Sequence, residues 1–152
     1  MAGLDLKSVA TLATREVFGM AVREDVLTNA ESELWLKDFR VSAQDHLKLE
    51  GSADWSITKR TLQGGPSANI DVVTMDNGML SVEVLPTRGM GFWKGAFRGT
   101  NLGWQSPVRF PVHPRLVNLA NERGTGWLRG FNEWMCRCGL ESIGPASSDR
   151  CS

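Results

Sequence analysis

Residues 69–86 read NIDVVTMDNGMLSVEVLP. Asn77 and Gly78 separate two runs rich in Val, Ile and Thr, the pairing that most strongly marks a short β-hairpin. A two-residue turn there sets Asp76 opposite Met79. Counting outward, Met75 meets Leu80 and Val73 meets Val82 on one side of the ribbon, while Thr74 meets Ser81 on the other. Apolar faces apolar and polar faces polar, so the register is self-consistent. Pro86 has no N–H to give to a ladder and closes the second strand.

The flanking sequence extends the β reading in both directions. GMGFWKGAFRG (89–99) is a further strand broken by glycines. WSITKRTLQ (55–63) alternates Trp55 and Ile57 with Ser56 and Thr58 and reads as an edge-like strand. EGSADW (50–55) is a turn and GGPSAN (64–69) a loop. Residues 33–43 alternate in part and read as a strand or a short helix. In residues 1–28, Val9, Leu12, Ala13 and Val17 hint at a helical stripe that Thr and Val dilute. Downstream, SPVRFPVHPRL (106–116) carries three prolines and is a loop of extended backbone. LANERGTG (119–126) is a second loop, and WLRGFNEWMCRCGLES (127–142) is strand-like. Short strands with Gly/Pro turns and little helix predict a mainly β protein, an antiparallel β sandwich or barrel.

The chain has 152 residues, enough for one domain with a real core. Its formal net charge is zero, which argues against a nucleic-acid partner, because that binding relies on a surplus of cations. No apolar run approaches the roughly 18 residues of a membrane span. Asp5, Lys7, Arg15 and Glu16 interrupt any signal-peptide core, so a cytoplasmic location is expected. The three cysteines, Cys136, Cys138 and Cys151, are odd in number and clustered at one end. They form no disulfide framework, and Cys136 and Cys138, two apart on a strand, read as small buried residues on one side.

Cofactor motifs fail on inspection. Gly89-Met90-Gly91 begins like a dinucleotide loop, but the third glycine falls on Lys94. There is no phosphate loop, no HExxH and no Gly-x-Ser-x-Gly. No cofactor and no metal are expected.

The stretch around Arg88 admits two readings. One is a surface turn with a solvated arginine. The other is a pocket in which Arg88 meets a polar ligand and the glycines let that ligand approach the backbone. A constellation favours the second: Arg88, His113, Arg129, Glu133 and Glu141, with Trp104 and Trp127 nearby in sequence. Arginine and carboxylates clamp hydroxyl groups through charge-assisted hydrogen bonds. Indole faces cover the apolar side of a sugar ring. A loop histidine and surface carboxylates account for the same residues without a pocket, so spacing alone leaves both readings open.

DNGMLSVEVLPTRGMGFWKG, LGWQSPV, PVHP and GWLRGFNEWMCRCGLES, in that order, resemble an uncharacterised aldose 1-epimerase-like family of the galactose mutarotase-like superfamily. The resemblance covers about residues 55–142. It implies a twisted β supersandwich, here partial, that binds a small-molecule sugar, with Arg88, His113, Trp127, Arg129 and Glu133 as candidate binding residues. It also implies that an active relative would be a sugar epimerase using a glutamate base and a histidine acid from later in the chain. Members are usually more than twice this length, and the match fades after CGLES. The expected organisation is therefore an N-terminal segment (1–32), a partial β domain (33–142) and a divergent, disordered tail (143–152) of a truncated protein lacking the complete catalytic pair. Open sheet edges would favour self-association. The competing expectation is a noncatalytic β module whose Trp/Arg-rich surface docks a partner protein.

Overall fold

The computed structural model describes residues 11–17, 20–44 and 54–135. These fall into two compact units divided after Leu36.

In the first unit, β1 (Thr11–Val17) and β2 (Met20–Asp25) form an antiparallel hairpin. β3 (Thr28–Asn29) and β4 (Leu34–Trp35) form a short ribbon. The Asn29 Oδ1 accepts from the N–H groups of Glu31 and Ser32, closing the loop between them. The helical stripe hinted at by Leu12, Ala13 and Val17 does not form. β-Branched Thr11, Thr14 and Val17 favour extended backbone over a helix.

The second unit is built on a six-stranded sheet: β5 (Phe39–Ser42), β6 (Ser56–Thr61), β7 (Asp71–Asp76), β8 (Leu80–Leu85), β9 (Gly91–Phe97) and β10 (Thr100–Leu102). Spatial order follows chain order from β5 to β10, and every pair is antiparallel. The protein is mainly β with antiparallel sheets, as its sequence predicts. Two local readings change. Residues 33–43 divide between β4 and β5, and β6 lies inside the sheet between β5 and β7 rather than at its edge.

The 69–86 hairpin forms with a different register. Asp76 pairs with Ser81, Met75 with Val82 and Val73 with Val84, two residues further along β8 than a turn at Asn77-Gly78 would give. The cause lies in two side chains. Asp76 Oδ1 accepts the Gly78 N–H at 2.7 Å, and Asn77 Oδ1 accepts those of Met79 and Leu80 at 3.0 and 2.7 Å. Of the turn residues only Gly78 takes positive φ, +81°, so the reversal centres on Gly78-Met79. A slip of two keeps every side chain on its expected face, because strand side chains alternate with period two.

The two faces differ in chemistry. On one, the rows Val41–Ile57–Met75–Val82 and Phe39–Lys59–Val73–Val84–Phe92 run across the strands. This face is apolar, with Lys59 buried and paired to Asp71 at 3.0 Å. On the other, Ile70, Val72 and Leu85 form the fully buried core, with Leu62 and Trp93 packed against it. Trp93 reaches that face through a bulge. Glu83 pairs with Lys94 but Val84 with Phe92, so Trp93 is the extra residue and lies beside Lys94.

Residues 127–134 do not continue the sheet. Gly126–Gly130 is a 3-10 turn, and among the described residues Met135 forms a bridge to β9 at Phe92, whose carbonyl also accepts the Trp134 N–H at 2.7 Å. The turn is pressed against residues 117 and 118. A Cβ on Gly126 would stand 1.9 Å from the Asn118 carbonyl oxygen, and one on Gly130 2.7 Å from a Val117 methyl. Cys136, Cys138, Glu141 and Cys151 lie outside the described residues.

Candidate functional site around Arg88

Pro86–Arg88 form a single 3-10 turn at the end of β8. Gly89 and Met90 then take left-handed backbone, φ +66° and +63°, and the Met90 N–H donates to the Leu85 carbonyl at 3.0 Å. This reverses the chain within two residues and starts β9 beside β8. It also fixes the direction of Arg88, which the preceding strand alone would not.

The guanidinium reaches two distant loops. Its Nε donates to Glu133 Oε1 at 2.5 Å, Nη1 donates to the Val112 carbonyl, and Nη2 donates to the Gly130 carbonyl at 2.9 Å. The other Glu133 oxygen accepts the Asn132 N–H at 3.1 Å. Gly91 lets the carboxylate come close, since a Cβ there would lie 3.0 Å from Glu133 Cγ. Arg88 thus clasps the loop before Pro114 and the loop after Gly130 to the end of β8. The reading of Arg88 as a solvated turn residue is excluded, for its side chain is 12% exposed.

Beside this clasp lies a cleft of about 410 Å³ lined by Thr87, Arg88, Pro114, Val117, Leu119 and Trp127 among others. Trp127 leaves 45% of its surface exposed and stands edge-on to Phe131, with ring centroids 5.4 Å apart. Arg88 spends three of a guanidinium's five N–H donors inside the protein, leaving two without a protein partner.

The remaining candidates are placed differently. The His113 N–H donates to the Pro66 carbonyl at 2.8 Å, and its Nδ1 accepts from the Arg115 N–H at 3.2 Å. It caps the turn Pro114–Leu116 at the border of the cleft. Arg129 points into solvent, 71% exposed, and is ion-paired with Glu122. The structure therefore brings Arg88, Glu133 and Trp127 together, sets His113 alongside and leaves Arg129 apart. Trp104, singled out for its sequence position, donates from Nε1 to the Glu133 carbonyl at 2.9 Å. The carbonyls of Val112 and Gly130 were invisible in the sequence, because backbone acceptors carry no residue signature. Among the described residues no group of three or more His, Cys, Asp or Glu could hold a metal, and no helix is long and apolar enough to cross a membrane.

Comparison with known proteins gives two findings. Residues 67–152 match the family described as a domain of unknown function, DUF4432. A crystal structure of a protein named a "putative aldose 1-epimerase", from Klebsiella pneumoniae subsp. pneumoniae MGH 78578, is similar with a TM-score of 0.65 and 34% identity. The match covers 70% of this chain and 28% of that one, so the chain corresponds to just over a quarter of that protein's length. The fold is thus aldose 1-epimerase-like, of the galactose mutarotase-like kind. No curated protein matches the chain.

Proposed function

The chain belongs to the DUF4432 family, and on that premise we propose that it binds a carbohydrate in the cleft beside Arg88. The single observation that carries this reading is the half-exposed Trp127 indole in the same cleft as the Arg88 guanidinium. An indole offers a flat apolar wall to one side of a pyranose ring. A guanidinium already anchored by Glu133 offers its remaining donors to ring hydroxyls without first having to be ordered. The likeness to the Klebsiella protein supports a sugar as the ligand class.

The reading is of binding rather than of catalysis by these residues. Anomer interconversion needs one group to take the anomeric hydroxyl proton and another to protonate the ring oxygen. His113 and Glu133 are engaged elsewhere: His113 caps a turn and Glu133 is held by Arg88 and the Asn132 N–H. In a complete relative, this cleft would hold the sugar while other groups moved the protons.

Tryptophan fluorescence during titration with a panel of neutral hexoses and pentoses tests the proposal. A saturable change is expected, lost in Trp127→Ala. A flat response to every sugar in the folded protein would overturn it. That outcome would favour the second reading, a protein-docking surface, for which the exposed Leu116, Leu119 and Leu128 close to Trp127 in sequence speak.

A further inference from the structure

We propose that the cleft between Trp93 and Trp104 is a second, separate site, which takes an acidic sugar: a polyhydroxylated ring bearing a carboxylate or a phosphate.

This cleft holds about 640 Å³ and is lined by Trp93, Lys94, Trp104, Ser106, Arg109 and Asn132 among others. Its size lies in the range of about 300–1,000 Å³ usual for small-molecule sites. It shares no lining residue with the Arg88 cleft. The Glu133 side chain holds Arg88, while its neighbour Asn132 lines the second cleft.

Three features define the ligand. The first is a missing donor. Asn132 is 6% exposed, yet its Oδ1 has no hydrogen-bond partner. A buried acceptor is expected to be satisfied, and the residue that carries this one lines the cleft. The second is a pair of indole walls. The β9 bulge turns Trp93 onto this face. Trp104 is held in place by its Nε1 bond to the Glu133 carbonyl and by Phe131, whose ring centroid is 5.6 Å away. The third is unopposed positive charge. Lys94 Nζ lies 4.1 Å from the Trp93 ring centroid, and among the described residues neither Lys94 nor Arg109 is ion-paired. Across the strand from Lys94, Glu83 Oε1 accepts from Arg60 at 2.7 Å, while its buried Oε2 has no hydrogen-bond partner. A hydroxyl donor, a ring face and an anion are the complements of these three features, and an acidic sugar carries all of them.

Calorimetric titration of the full chain with glucuronate and with ribose 5-phosphate tests this. At least one should bind saturably, and which of the two binds identifies the acidic group. In the Trp127→Ala background, which removes the neutral-sugar response, glucose and inorganic phosphate should each bind roughly tenfold or more weakly, since each lacks one complement. The double variant Lys94→Ala/Arg109→Ala, which alters only exposed side chains, should lower affinity by about tenfold or more. Trp127→Ala, which alters the other cleft, should leave it unchanged, so this site and the neutral-sugar site succeed or fail independently. Asn132→Leu should weaken binding while keeping the melting temperature at or above that of the parent, because it removes an unpartnered acceptor. The proposal is overturned by absence of saturable heat with both acidic sugars, by full affinity in the double variant, or by inorganic phosphate binding as tightly as the sugars.

Discussion

Arg88 and Glu133 stand 45 positions apart in the chain, yet Nε of one lies 2.5 Å from Oε1 of the other, with side chains only 12% and 7% exposed. Removing the cation would strand a carboxylate away from water. Arg88→Ala is therefore expected to cost about 3–5 kcal/mol in urea unfolding. Arg88→Met combined with Glu133→Leu should recover part of that loss, because two apolar groups leave no lone charge behind. A single-variant loss below about 1 kcal/mol would show that the pair is solvated.

The Arg129–Glu122 pair gives the opposite expectation. With side chains 71% and 45% exposed, its charges are screened by water. Arg129→Ala should shift stability by less than about 1 kcal/mol and leave the fluorescence response to neutral sugars intact. A lost response would return Arg129 to the binding residues.

Trp134 packs directly on the backbone of β9. A Cβ on Gly95 would fall 2.8 Å from its ring, so Gly95→Ala must displace an indole and should cost roughly 1–3 kcal/mol. Gly99→Ala is the companion measurement. Nothing lies within 4 Å of that position, but its φ of +79° is unfavourable for alanine, and a loss of about 1 kcal/mol is expected from the backbone alone. Thermal melting of both variants separates crowding from conformational strain. A Gly95→Ala protein as stable as its parent would refute the close packing.

Ile70 is completely buried in the small cluster with Val72 and Leu85. With so few fully buried side chains to share the loss, Ile70→Ala should cost about 2–5 kcal/mol. A change smaller than about 1 kcal/mol would mean that the site collapses around the missing atoms.

The β character of the chain was legible because alternation in 69–86 speaks directly to a pleated strand, and Pro86 marks its end. The hairpin register was not. The decisive forces were the Asp76 carboxylate, which captures one N–H, and the Asn77 carboxamide oxygen, which captures two, and composition does not say which of two competing turns such side chains will close. Residues 127–134 misled for a related reason. Their apolar side chains suit a strand, but Gly126 and Gly130 allow close approach to residues 117 and 118, a long-range fit that leaves no periodicity. At the candidate site, Arg88 stood out through its setting between proline and glycines. Its partner Glu133 was also a candidate, though spacing alone did not separate it from a surface carboxylate, and Asn132 gave no signal, since an amide earns notice only when its partner is missing.

The strictly sequential order of β5 to β10 also bears on how the chain reaches its native state. Each ladder joins neighbours in sequence, with residues 43–55 between β5 and β6 the longest connection, so the entropic penalty stays modest at every step. The meander can then assemble outward from any turn, at rates fast for a β protein. The guanidinium clasp is of another kind, for its bonds span 24 to 45 positions and form only once the chain from β8 to residue 133 is in place.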